Sequence, residues 1–270
     1  MQGAESILVE NLQTDWIRHF LPAILRLLSG GDIYSDPLVL NPPWTYLMLA
    51  PVGILPRSLA IWMGTLMAIA AIAYAAWKVR KPYLIALVGI SFPFMSLCLY
   101  GNLDWIVLFG VLFTNAASPF LLTVKPQAGA LAIVGVLGKM RQQSKPLKDY
   151  IRLLLPFIVI APILLIIFPG FIQNFLGLDE RLPQVTSANF SLFPYTLPLV
   201  PILLWFAYKR GDPLLGILAS LAISPYFYFH SIIPAMFMIA DRNWKWGLVV
   251  NLLTWLVVFL ILIKVIPIEF

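Results

Sequence analysis

Long apolar runs separated by short basic clusters dominate the chain. A helix needs about 20 apolar residues to cross a bilayer, and the runs at 58–77, 150–169, 191–208 and 247–266 reach or approach that length. A slightly shorter run, 83–99, carries Pro93. The runs at 45–56, 103–114, 213–223 and 226–240 are too short to span alone, and 119–138 is interrupted by Lys125 and Pro126. Segments of this kind predict re-entrant or half-membrane helices. Before residue 57 the pattern changes. Trp16, Phe20, Ile24, Leu27 and Leu28 recur at helical spacing, with Arg18, His19 and Arg26 on the other side. This predicts an amphipathic segment lying in the membrane interface, divided by Pro22 and stopped at Gly30-Gly31. Turn chemistry at Asp32-Ile33-Tyr34-Ser35-Asp36-Pro37 and the stretch Asn41-Pro42-Pro43-Trp44 lead into the first short run.

The expected fold is an all-α polytopic membrane protein with about 8–10 transmembrane or half-membrane helices. It forms one domain, an external amphipathic lobe and re-entrant segment at 1–57 and a helix bundle at 58–270. Composition narrows the class further. Of 270 residues, 61% are hydrophobic and 11% charged, against roughly 45–50% and 25% in soluble domains. That excludes a soluble globular protein, a disordered chain and a disulfide scaffold. Cys98, the single cysteine, has no intramolecular partner and reads as a small buried apolar residue. Two histidines and one cysteine argue against a protein metal cage. No cofactor is expected, with only a carboxylate-bound divalent cation left open. No signal peptide is expected, because acidic residues precede the first apolar run.

Charge sets the orientation. Twelve of the 18 basic residues fall in four clusters: Lys78 to Lys81, Lys139 to Arg152, Lys209-Arg210, and Arg242 to Lys245. The positive-inside rule makes these clusters cytoplasmic. The net charge of +6 is then an orientation signal, and no basic stripe interleaved with aromatics points to nucleic acid. The acidic N-terminal lobe (Glu5, Glu10, Asp15, Asp32, Asp36) and the Asp179-Glu180-Arg181 loop fall outside. Three apolar segments separate residues 78–82 from 139–149, and three crossings cannot return to one side. Residues 103–114 are therefore expected to form a half helix.

A few polar residues in this apolar chain carry candidate chemistry. Asp15 precedes the amphipathic helix, so it is either an N-cap, a position that favours Asp, or a general base facing a site at the outer surface. Lys125 lies in an apolar run, where a charge costs about 2.5–3.5 kcal/mol at mid-membrane. It is either functional, or a snorkelling or structurally paired lysine with Asp104 as partner. Asp104 reads equally as a half-helix cap after Asn102. His230 follows Tyr226-Phe227-Tyr228-Phe229 and is either a packed histidine or a site residue. Asn189-Phe190-Ser191 matches the N-glycosylation triplet, a pattern common by chance.

The order of these motifs resembles glycosyltransferase family 87, polyprenyl-phosphate-sugar-dependent enzymes of the C-type membrane glycosyltransferase superfamily. The likeness runs through Asp15-Trp16, Gly30-Gly31-Asp32-Ile33-Tyr34, Asn41-Pro42-Pro43-Trp44, Leu55-Pro56 and Gly101-Asn102-Leu103-Asp104-Trp105. It continues through Lys125-Pro126-Gln127, Asn189-Phe190-Ser191-Leu192, Ser224-Pro225-Tyr226 and His230. The resemblance implies a glycosyltransferase C-like bundle in the plasma (inner) membrane. It also implies transfer of a sugar from a polyprenyl-phosphate donor to an acceptor hydroxyl at the external face, with inversion. Asp15 matches the carboxylate of the first external loop, the general base. The departing phosphate gains charge and needs cationic or hydrogen-bonding partners. Lys125, His230, Arg57 and Arg18 are candidates, with His19, Asn102, Asp104, Gln127 and Tyr226 as further substrate-binding residues.

The family places a transmembrane helix before that carboxylate, whereas only fourteen residues precede Asp15 here, too few for one. Two other classes therefore stand beside the enzyme: a non-catalytic glycosyltransferase-like subunit working with partner membrane subunits, and a transporter. The transporter lacks an evident inverted repeat. The orientation has a direct test. In a Cys98→Ser background, an impermeant thiol reagent added outside should label Ser35→Cys and spare Gln142→Cys; the reverse pattern overturns the assignment.

Overall fold

The computed structural model describes residues 14–177 and 189–263. Expectations for Glu5, Glu10, the Asp179 loop and residues 264–266 lie outside them. The described residues contain helices and no strands. A π-helical turn, Trp16–Phe20, runs into α1 (Leu21–Leu28). Pro22 has no N–H to give the carbonyl of Arg18, so the turn before it widens. Next come α2 (Pro43–Leu49), a 3-10 turn (Ala50–Ile54) and α3 (Arg57–Lys78). Short helices follow: α4 (Tyr83–Gly89), α5 (Phe92–Tyr100), α6 (Ile106–Leu112), α7 (Ser118–Thr123), α8 (Pro126–Gly129) and α9 (Ala132–Gln142). The chain continues through α10 (Leu147–Ile167), α11 (Gly170–Leu176), α12 (Leu199–Arg210) and α13 (Pro213–Ile223). A 3-10 turn (Phe229–Ile232), α14 (Ile233–Arg242) and α15 (Trp244–Leu262) complete it.

Three of these helices, α3, α10 and α15, are long and apolar enough to cross a membrane. The 22 residues of α3 extend about 33 Å. On α10, Ile158 and Ile166 are 61% and 78% exposed, as expected of a lipid-facing surface. The run at 83–99 is not one straight helix. It breaks into α4 and α5, bent by 72°. The break falls before Pro93, because Ser91 caps α5 by accepting from Phe94 N and Pro93 then sits in the first turn. The run at 191–208 departs most from expectation. Only Leu199–Arg210 is helical, 12 residues, because Pro194 and Pro198 hold the chain before it out of a helix. In the run at 103–114, where a half helix was expected, the helix is short, the seven residues of α6.

The amphipathic stripe of the N-terminal segment packs against protein. Trp16, Phe20 and Ile24 are buried, and Trp16 Nε1 donates to Ala60 O of α3 at 2.8 Å. The Tyr34 hydroxyl donates to Asn41 O at 2.8 Å, and Asn41 Nδ2 donates to Val124 O at 2.8 Å, tying this lobe to the α7–α8 break. Asn174 of α11 donates to the carbonyls of Tyr34 and Asp36.

At the other end the four basic clusters meet. One cavity of about 660 Å³ is lined by Val79, Lys139, Gly211 and Arg242 among others. Lys81 pairs with Asp241 at 2.8 Å, Arg242 with Asp212, and Gln142 donates to Lys209 O. Residues in or beside all four clusters thus line one cavity.

Close contacts among α9, α12 and α13 rest on small residues, the usual device where lipid supplies no hydrophobic drive. A Cβ on Gly138 of α9 would overlap the Tyr208 carbonyl of α12. Gly138→Leu is therefore expected to lower stability by about 3 kcal/mol, the upper end of overpacking costs, measured by thermal unfolding in detergent. Ile158→Leu, at an exposed position, should leave the midpoint unchanged.

Candidate active site

Four chain breaks deliver polar side chains to one place. Asp15 begins the N-terminal helix. It makes no capping hydrogen bond to that helix; its Oδ2 instead accepts from Asn102 Nδ2 at 2.7 Å, 87 residues away. Asn102 is presented by the turn that ends α5, where Gly101 takes φ +66, a left-handed conformation that favours glycine. Asn102 Oδ1 accepts from Leu103 N at 2.8 Å, which fixes the amide and aims its N–H pair at Asp15. Asp104 follows in the same turn, fully buried. Lys125 sits in the break between α7 and α8, forced by Pro126, which cannot continue the preceding helix.

The fourth break is the segment Tyr226–His230. Tyr228 has extended backbone, φ −105 and ψ 167, so side chains two apart share a side. Tyr226, Tyr228 and His230 face the site, and Phe227 and Phe229 pack into the cores behind it. Tyr228 stacks on the His230 ring with centroids 5.4 Å apart and 23° between planes, and Tyr100 of α5 lies 6.0 Å from the same ring.

The electrostatics are those of a buried cluster in an apolar frame. His230 is 2% exposed, with Nε2 3.7 Å from Asp104 Oδ2 and Nδ1 3.5 Å from Ser96 Oγ. The Asp104 contact is a charge-pair distance, too long for a hydrogen bond, and neither Asp104 oxygen has a hydrogen-bond partner among the described residues. Burial lowers the pKa of His230; Asp104 and Asp15 oppose that shift and Lys125 reinforces it. The imidazole is thus neutral at pH 7, with one N–H to donate. Tyr226 is pushed up to about 12 by burial and by the Asp104 charge, so its hydroxyl stays a donor. Lys125 is 8% exposed. No carboxylate lies within 4 Å of its ammonium among the described residues, and its close neighbour is the Phe20 ring, 5.7 Å to the centroid.

Six of the ten residues singled out from the sequence therefore meet: Asp15, Asn102, Asp104, Lys125, Tyr226 and His230. The other four lie elsewhere or show no contact with the cluster. Arg57 is on an apolar groove with Ile17, Leu21 and Leu25. His19 is bonded to Asp36 at 2.7 Å, Arg18 is exposed, and Gln127 is half-buried in α8. The sequence reading missed Tyr100, Tyr228 and Ser96. The alternation Tyr226-Phe227-Tyr228-Phe229-His230 carries a period-2 signal that could have found Tyr228. Among the described residues no group of three or more His, Cys, Asp or Glu could hold a metal ion.

Compared with family models, curated proteins and solved structures, the chain matches none significantly.

The buried neutral histidine has a measurable consequence. Its folded pKa lies below the ordinary 6.5, so below that pH the unfolded chain binds a proton that the native one refuses. Stability should fall as pH drops from about 7, by up to about 1.4 kcal/mol per unit, and level off below the folded pKa. His230→Gln should remove that component, and thermal unfolding across pH reads it.

Proposed function

We propose that this chain is a multi-pass membrane glycosyltransferase of the C-type architecture. It would transfer a sugar from a polyprenyl-phosphate donor to an acceptor hydroxyl at the membrane face opposite its basic loops. The observation that carries the reading is Lys125, a buried cation with no carboxylate within 4 Å among the described residues, in the same cluster as Asp15 and His230. Buried charges are ordinarily paired. An anionic group of the substrate supplies the missing partner, and a lipid phosphate enters such an apolar frame with its tail in the bilayer. The ordered resemblance to glycosyltransferase family 87 supports the same reading.

The geometry supports the following roles. Asp15 is half-buried, and its Oδ2 is held by Asn102. Oδ1, which has no hydrogen-bond partner among the described residues, takes the proton of the acceptor hydroxyl. The acceptor oxygen bonds to the anomeric carbon as the bond from that carbon to the phosphate oxygen breaks, with inversion. The electron pair leaves on the phosphate, where Lys125 neutralises it and the N–H of His230 and the Tyr226 hydroxyl donate hydrogen bonds. The donor sugar and the acceptor are set by the polar and aromatic surface between Asp15 and Tyr228.

Asp15→Asn keeps the shape and removes the base. General-base catalysis contributes about 10²–10⁴-fold, so turnover with lipid-linked sugars should fall at least a hundredfold while donor still binds. Transfer at the parent rate would remove Asp15 from the mechanism. If the parent transfers from none of a panel of lipid-linked sugars with its native partners present, the accessory-subunit reading replaces this one.

A further inference from the structure

The basic end of the bundle carries a second feature, unrelated to sugar transfer. Beside the end of α3 a hollow of about 820 Å³ is lined by Tyr74, Trp77, Lys78, Arg80, Pro82 and Ile85. Its wall is apolar and uncovered: Trp77 is 72% exposed, and Tyr74 and Ile85 are also exposed. Its rim holds two cations and no carboxylate. Lys78 lies over the Phe113 ring at 3.7 Å. Arg80 is exposed, and its guanidinium makes no hydrogen bond or ion pair among the described residues. Asp241, in the last turn of α14, is already held by Lys81 at 2.8 Å.

We propose that this hollow seats an anionic phospholipid of the leaflet at the basic end. Its phosphate would lie between Lys78 and Arg80 and its acyl chains against Trp77, Tyr74 and Ile85. The position fits a lipid rather than a soluble anion. α3 is a candidate span, and tryptophan followed at once by lysine marks where such a helix meets the headgroups. A dissolved phosphate has no use for the exposed apolar wall. The absence of an acid selects a net-negative headgroup over a zwitterionic one. The neighbouring 660 Å³ cavity differs, because it contains Asp241 and Arg242, each already paired.

Arg80 offers a clean test because its φ is +59. Glycine takes that conformation without strain, so Arg80→Gly removes the guanidinium without weakening the fold. The purified chain in detergent is titrated with phosphatidylglycerol, phosphatidylcholine or inorganic phosphate, and the thermal midpoint is followed. Phosphatidylglycerol should raise it saturably and the other two should not. Arg80→Gly and Lys78→Gln should each weaken the phosphatidylglycerol response about fivefold, while Lys139→Gln keeps it. An equal response to phosphatidylcholine would show an unselective apolar surface. An equal response to inorganic phosphate would show a soluble-anion site. Unchanged titrations in both variants would place the lipid elsewhere. Each of these three results overturns the proposal.

Discussion

A lysine held in an apolar bundle with no ion pair among the described residues is the constraint around which the rest of the site is arranged. Burying such a charge is costly in a low-dielectric frame. Lys125 has an aromatic ring beside it, and the charges that reach across to His230 are Asp104 and Asp15. Asp104 is itself buried with both oxygens unbonded among the described residues. Charges of both signs are thus held close together but not joined. A frame shaped only for stability would let them pair or replace them with apolar residues, often at no loss. Keeping them apart leaves the Lys125 ammonium without an ion pair among the described residues, as the proposed anionic donor requires, while Asp104 acts on the imidazole and Tyr226.

Broken helices make this arrangement possible. Each site residue stands where a helix begins or ends: after Gly101, before Pro126, beyond Ser224, and at the opening of the N-terminal segment. The seven residues of α6 and the eleven of α13 extend about 10 and 16 Å. They run from the cluster toward the basic end, where Leu112 and Pro213 line the 660 Å³ cavity. Short helices of that length leave polar backbone and side chains packed in protein, the condition under which irregular structure is tolerated inside a bilayer. The N-terminal lobe closes one side through Trp16 to Ala60 and Asn41 to Val124.

Much of this frame was legible in the sequence, because hydrophobic length and basic clusters are strong one-dimensional signals. The three long helices and the halves at 103–114 and 213–223 follow from run length alone. The run at 191–208 misled, since apolar composition does not reveal that prolines outweigh helix propensity there. The break at Ser91 was hidden because Pro93 marks the first turn of the new helix rather than the boundary. Within the candidate site, charge and rarity singled out Asp15, Asp104, Lys125 and His230, which the fold brings together. The bond from Asn102 to Asp15 spans 87 residues, and no local pattern encodes it. Arg57 and Arg18 drew attention by charge alone, which carries no information on direction. Tyr100 was hidden because one aromatic at a helix end is indistinguishable from packing until its neighbour is known.

The most direct test of the central claim is a structure of the chain with polyprenyl phosphate bound. The account predicts the phosphorus against the Lys125 ammonium, within hydrogen-bond reach of His230 or Tyr226, with the anomeric position open toward Asp15. A headgroup seated elsewhere, with Lys125 still over Phe20 and no ligand atom near it, would contradict the account.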